Sequence, residues 1–315
     1  VLKLREAELM TTADLLANNR SIQQRDWLWR GWQTRYTFLR PVPQANQTNQ
    51  PVNLPIILLH GFGAASGHWR QNIPALSEQH TVYALDLLGF GASEKPPTLY
   101  QVNLWVEQVF DFWRTFIDRP AVIVGNSIGS LIGLIAAQKH PEMARGIVAI
   151  SLPDLAELEA LVPPVIRPVK QWMESVIGSL LAKPLFHLVR QPKVIEFVLK
   201  NLVYIDRQFV DAELVEIITV PAQERQAAEA FLWINRGATS PGSAPNVKQA
   251  IDQLRVPMLI LWGTKDRLIP IRVGRKLANR PSVRMVELPE LGHCAHDENP
   301  AMINQAIMSW ISENL

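Results

Sequence analysis

The sequence predicts an α/β fold with a mainly parallel central sheet, helices on both faces and an inserted helical block. Short apolar runs at 56–59, 81–85, 121–124 and 146–150 alternate with helical segments. The same rhythm resumes at 256–262 and 283–288. Between the two series, residues 154–246 read as helices punctuated by Pro163, Pro164, Pro168, Pro184, Pro192 and Pro221. Fully apolar strands separated by helices are the pattern of a parallel sheet covered on both sides. The expected division is a core of residues 1–153 and 247–315 and a helical cap of residues 154–246.

Taken in order, residues 3–25 mix Ala7, Leu9, Ala13, Leu15, Leu16 and Ile22 with charges and predict a helix. Residues 27–39 alternate as a strand pair, with Trp27, Trp29, Tyr36 and Phe38 as aromatics and Arg30-Gly31 as the turn. The polar, proline-flanked stretch 41–55 reads as a loop. Helices are expected at 69–79, at 102–118, after the Gly125–Gly129 turn to His140, and at 300–311. The segment Ser240-Pro241-Gly242-Ser243-Ala244-Pro245 returns the chain from the helical block.

A chain of 315 residues, 48% hydrophobic and 19% charged, is long enough for a sizeable core and is not disordered in composition. A net charge of +2 with no Lys/Arg run excludes a nucleic-acid binder as the expectation. Cys294 is the only cysteine, so no intramolecular disulfide can form, which fits a reducing, cytoplasmic compartment. Residues 1–10 lack the apolar core of a signal peptide, and no apolar run has transmembrane length. The expected localisation is cytoplasmic, with peripheral contact to a thylakoid or other membrane as its variant.

Gly125-Asn126-Ser127-Ile128-Gly129 stands between an apolar strand and a helix, the context of a nucleophile elbow. A sharp turn needs small flanking residues, and Ser127 would meet the free amides and dipole of a helix start. A chance glycine-rich turn is the plainer reading of the motif without its strand and helix. His60-Gly61-Phe62-Gly63 follows the first parallel strand, so the Phe62 and Ile128 amides are expected to form an oxyanion hole. His60 itself reads as a brace for that loop. Serine needs a base, and His293 lies in a loop after the last strand; His296 is its rival. The acid is expected after a strand between Ser127 and His293, where Asp266 lies; Asp154 is the alternative. Asp86 reads as a turn residue, Cys294 as a packing residue, and most of the ten tryptophans, Trp105, Trp113 and Trp262 among them, as core.

His60 to Gly63, Trp69, Asp86 to Ser93, Gly125 to Gly129, Gly263 to Asp266 and Gly292-His293, in this order, resemble the α/β-hydrolase superfamily. The order Ser, Asp, His is also that of the superfamily. Within it, Gly125 to Ser130, Leu85 to Ser93, Val215 to Ile218 and Pro221-Ala222 are similar to cyanobacterial and plastid hydrolases related to pheophytinase and chlorophyll dephytylase. That resemblance implies cleavage of the phytyl ester of chlorophyll or pheophytin, and a cyanobacterial or plastid source. Neither is read from composition or spacing.

The helical block falls where this fold carries a cap. It is very apolar, yet residues 160–210 hold seven Lys and Arg against three acids. One reading places its apolar side chains in lipid and its basic ones at headgroups; the other packs them on the core around a greasy pocket. The N-terminal helix is a second place for membrane contact. Both readings expect a hydrophobic small-molecule ester and hydrolysis through an acyl-enzyme, with no metal and no organic cofactor. The alternatives are acyl-lipid or small-ester hydrolysis, carbon–carbon bond hydrolysis or perhydrolysis on the same residues, or a slow-turnover ligand receptor. Dehalogenase and soluble epoxide hydrolase chemistry is disfavoured, because those enzymes use Asp where this chain has Ser127.

Overall fold

The computed structural model describes residues 21–42, 53–160, 182–240 and 244–315. Eight strands form one sheet: β1 (Gln23–Trp29), β2 (Trp32–Leu39), β3 (Ile56–Leu59), β4 (Val82–Leu85), β5 (Ala121–Asn126), β6 (Ala144–Ile150), β7 (Met258–Gly263) and β8 (Val283–Leu288). Their order across the sheet is β1-β2-β4-β3-β5-β6-β7-β8. β2 is antiparallel to both β1 and β4, and all other pairings are parallel.

The helices are α1 (Ile73–Leu76), α2 (Val102–Phe116), α3 (Ile128–Lys139), α4 (Leu155–Ala160), α5 (Ala182–Val189), α6 (Pro192–Val198), α7 (Ala212–Gln223), α8 (Ala227–Ala238), α9 (Val247–Asp252), α10 (Ile271–Leu277), α11 (Ala295–Glu298) and α12 (Pro300–Asn314). The two sheet faces carry separate cores. Ile57, Leu59, Ile123, Ile147 and Ile260 face one way, with Phe112, Ile132 and Val273 from α2, α3 and α10. Ile56, Leu58, Val122, Val148 and Leu259 face the other way, with Trp69, Ile73, Ile303 and Trp310. Successive side chains of a strand point to opposite faces, and both faces are covered. The strands therefore read as unbroken apolar runs. Trp105, Trp113 and Trp262 are buried, as expected of core residues.

Two expected elements differ. The helix expected over 3–25 does not reach Arg25: Gln23 to Arg25 begin β1, paired with Phe38 to Tyr36. Arg30 (φ 51°) and Gly31 (φ 86°) form a two-residue hairpin turn of left-handed residues, and the register this fixes carries the ladder past Trp27 to Gln23. The remainder of that helix, residues 1–20, lies outside the described residues, as do 43–52 of the expected loop. The helix expected over 69–79 is a 3₁₀ turn, Ser66–Trp69, followed by α1. Pro74 lacks the N–H of an interior helical position and is accommodated in the first turn, so α1 starts just before it.

Helices α4 to α9 separate β6 from β7. Ile195, Leu199, Tyr204, Val210 and Leu214 of this insertion form their own apolar cluster, and Cys294 of the following loop completes it. Residues 161–181 of the insertion lie outside the described residues. Among the described residues no helix is long and apolar enough to cross a membrane.

Candidate active site

Strand order places the site. β3 lies between β4 and β5, so the chain leaves β3 in one direction and returns on its other side. Ligands of open α/β sheets bind at the carboxyl ends of strands at such a reversal. The ends of β3 and β5 are adjacent, Leu59 opposite Gly125. The loop His60–Gly63 and the turn at Ser127 therefore lie side by side.

Ser127 has φ 53° and ψ −123°, a conformation L-residues rarely adopt, and immediately precedes α3. Its amide donates to Ile150 O at 2.8 Å, which ties the turn to the end of β6. Both flanking glycines are required by close approach. A Cβ on Gly125 would lie 2.4 Å from the Gly129 backbone, and one on Gly129 would lie 2.3 Å from Leu59 O. Real Cβ atoms do not tolerate such contacts with backbone. The amides of Phe62 and Ile128 donate to no described residue. Among the described residues the Ser127 hydroxyl makes no hydrogen bond; such contacts often tighten only when substrate binds.

His293 and Asp266 meet. His293 Nδ1 lies 2.9 Å from Asp266 Oδ2, and both side chains are buried. Asp266 Oδ1 accepts from the amides of Leu268 and Ile269, each at 2.9 Å, so the carboxylate is fixed by its own loop after β7. The His293 carbonyl accepts from Asn126 Nδ2 at 3.1 Å and from Ser151 Oγ at 3.3 Å. Asn126, the residue before Ser127, thus links the sharp turn to the imidazole loop.

The rivals are engaged elsewhere. Asp154 Oδ1 accepts from the amides of Ala156 and Glu157 at the start of α4. His296 is buried against Trp69 and His68, at ring distances of 4.2 and 4.5 Å, and burial holds it well below the ordinary imidazole range. Both His60 nitrogens are occupied: Nδ1 lies 2.7 Å from Gly61 O, and Nε2 accepts from Leu87 N at 3.0 Å. Burial keeps His60 neutral, so it braces the loop. Asp86 accepts from Ser66 N and Ala92 N, as a turn residue should. Burial pushes the Cys294 thiol far above its usual range. That leaves it a packing group.

A cavity of about 70 Å³ opens beside Phe62 and Phe90, closed by Phe186, Ile218, Pro221 and Phe231 of the insertion. Its one charged lining residue among those described is Lys95. The Lys95 amine is already shared among Gly91 O, Ser93 O and Glu224 Oε2. Among the described residues no cluster of His, Cys, Asp and Glu could hold a metal ion.

The fold and this site define a class. A sequence model described as the alpha/beta hydrolase fold matches residues 55–300. The chain belongs to the alpha/beta hydrolase fold family. It is 28% identical over 269 residues to the uncharacterized hydrolase YugF of Bacillus subtilis (strain 168), spanning 83% of this chain and 91% of that one. It is 24% identical over 301 residues to the chloroplastic pheophytinase of Arabidopsis thaliana, spanning 81% of this chain and 60% of that one. It is 26% identical over 268 residues to the 2-hydroxy-6-oxo-6-(2'-aminophenyl)hexa-2,4-dienoic acid hydrolase of Metapseudomonas resinovorans, spanning 82% and 84%. Among solved structures, the CarC serine hydrolase involved in carbazole degradation superposes with a TM-score of 0.74 at 22% identity, over 93% of this chain and all of that one.

Proposed function

We propose that the chain is a serine hydrolase of neutral, hydrophobic carboxylic esters. The observation that carries this reading is the strained Ser127 at the start of α3, linked through Asn126 to a buried His293–Asp266 pair. In this reading Ser127 Oγ attacks the ester carbonyl while His293 Nε2 takes its proton. Asp266 holds the imidazole with its proton on Nδ1 and stabilises the imidazolium. The Phe62 and Ile128 amides take up the oxyanion, the alcohol leaves, and water activated by His293 releases the acid.

The cavity supports an ester over carbon–carbon bond hydrolysis of a dienoic acid. An anionic substrate calls for a cation, and among the described lining residues the one cation, Lys95, is committed to two carbonyls and Glu224. The pigment reading is the finer proposal, supported by the similarity to pheophytinase. At about 70 Å³ the cavity is about half the roughly 150 Å³ that admits benzene. A phytyl ester therefore requires α5, α7 and α8 to part from the core. Leu188, Phe197, Leu202 and Val220 are exposed on the insertion among Lys193, Lys200 and Arg207, which favours delivery of substrate from an apolar phase.

The test compares wild type with Ser127→Ala on p-nitrophenyl esters and on pheophytin a or chlorophyll a in detergent micelles. Wild type should hydrolyse esters, and Ser127→Ala should lose turnover by at least a thousandfold with its melting curve retained. Turnover that survives in a folded Ser127→Ala variant overturns the serine assignment. Ester turnover without phytol release restricts the substrate to other hydrophobic esters.

A further inference from the structure

Glu298 lies five residues past His293 and is buried, yet it is neither nucleophile, base nor acid. Its carboxylate accepts three backbone N–H groups from two separate parts of the chain. Oε1 takes Ile205 N at 2.5 Å and Asp206 N at 2.8 Å, both in the insertion. Oε2 takes Gly292 N at 2.6 Å, the residue before His293. The same strap of chain, residues 203–206, makes further ties to the site. Val203 O accepts from His293 N at 3.2 Å. Tyr204 OH donates to Asp297 Oδ2 at 2.8 Å and lies 2.8 Å from His68 Nε2. Just upstream, Asn201 O accepts from Arg267 NH1 at 2.6 Å, next to Asp266.

The crossing is close. A Cβ on Gly292 would meet Val203 O at 2.7 Å and Glu298 Oε2 at 3.1 Å. Only glycine lets the strap pass this near the imidazole loop. The strap emerges from a π-helical turn, Leu199–Val203, a rare form often found at functional sites. A stretch of the insertion is therefore bonded to the loops that carry both His293 and Asp266, and among the described residues Glu298 is the one side chain that grips strap and imidazole loop at once.

We propose that Glu298 is a positioning residue that fixes His293 by clamping the strap 203–206 of the helical insertion to Gly292. The proposal rests on the reading of His293 as general base. It makes the seat of the insertion part of the base's geometry: when the strap shifts, the imidazole shifts with it.

The test uses Glu298→Gln, Ile205→Pro and the double variant, with His293→Ala as reference. A glutamine offers one acceptor oxygen and turns an N–H toward the other arm, so one side of the clamp is lost. Proline at 205 removes one of the donated N–H groups and leaves Glu298 in place. Each preparation except His293→Ala is titrated with a fluorophosphonate that labels Ser127, and turnover of a p-nitrophenyl ester is expressed per labelled site; His293→Ala, lacking the base that labelling needs, is scaled to folded protein. Glu298→Gln should lower kcat per site by about ten- to a hundredfold, the scale of a misplaced catalytic group, with KM changed less than threefold. The acid limb of kcat/KM should move to lower pH as the His293–Asp266 bond loosens. The double variant should lose little more than the worse single one, because both act on one clamp. A Glu298→Gln enzyme with wild-type kcat per site and an unmoved acid limb overturns the proposal, whatever its melting temperature. If Glu298→Gln does not fold, Ile205→Pro takes its place: the same two readouts support or overturn the clamp in the same way. Turnover retained in a folded His293→Ala variant refutes the base assignment instead, a separate result.

Discussion

At residue scale, the His293–Asp266 pair sets a tautomer as well as a distance. Asp266 Oδ1 is held by two loop amides, which leaves Oδ2 to accept the Nδ1 proton of His293. Asp266→Asn keeps the shape. Its Oδ1 can still accept from Leu268 and Ile269, but its Nδ2 then donates to Nδ1 and drives the imidazole proton to Nε2. That nitrogen could no longer take a proton from Ser127. A fall of about 10⁴-fold in kcat with little change in fold is expected, the scale found for this substitution in a serine protease. Ester turnover and circular dichroism on the same sample check it, and a loss below tenfold would remove Asp266 from the acid's role. The sharp turn at Ser127 and the meeting of Asp266 with His293 were legible in the sequence because each residue sits in a short local pattern at a strand end. Glu298, Tyr204 and Ser151 were not. Ser151 reaches the His293 carbonyl 142 residues away, while Glu298 reaches the Ile205 amide and Tyr204 the Asp297 carboxylate, each 93 residues away. No spacing along the chain records such a contact.

At the scale of elements, the apolar runs predicted the strands well because both sheet faces are covered, and helix α2 was legible from its one apolar stripe. The hairpin shows the limit. Gln23, Gln24 and Arg25 are polar and on an edge strand, so their strand state comes from pairing with Tyr36 to Phe38 rather than from their own preference. The insertion was legible as helical but not in its packing, since which helix closes the cavity depends on tertiary contact. Phe231 of α8 is one of the closing residues: its ring lies 5.0 Å from Phe186 and 6.5 Å from Phe62. Phe231→Ala should therefore enlarge the space beside Phe62. On a series of p-nitrophenyl esters from acetate to laurate, the preferred chain should lengthen, with kcat/KM on the longest ester rising relative to the shortest. An unchanged profile would place the substrate chain elsewhere.

At the scale of the whole molecule, buried histidines tie stability to pH. His60, His68, His80 and His296 are all buried, and desolvation lowers each below the ordinary value of 6.5, His68 to about 3. Between each folded value and 6.5 the unfolded chain binds more protons than the folded one. Their contribution to stability is therefore complete above pH 6.5 and is lost as the pH falls. Below 6.5, and only down to its own folded value, each such histidine costs up to about 1.4 kcal/mol per pH unit. Asp297 works the other way: burial raises it to about 6, so it favours the folded state as it takes up its proton between about pH 6 and 4. Asp297 therefore opposes the histidines over that window. The histidines outnumber this carboxyl, and total stability is only about 5–15 kcal/mol, so stability falls in mild acid. The melting temperature should hold steady from pH 8 to 7 and drop steeply between pH 6.5 and 5. His80→Gln, which can keep a side-chain donor for Leu54 O, the partner of His80 Nδ1 at 2.9 Å, should make that drop shallower by about one histidine's share. Thermal melts followed by circular dichroism across this range check both statements. A flat profile in wild type would mean that these imidazoles reach their protons without unfolding, and that the polar cluster of His68, Tyr204, His296 and Asp297 opens locally instead.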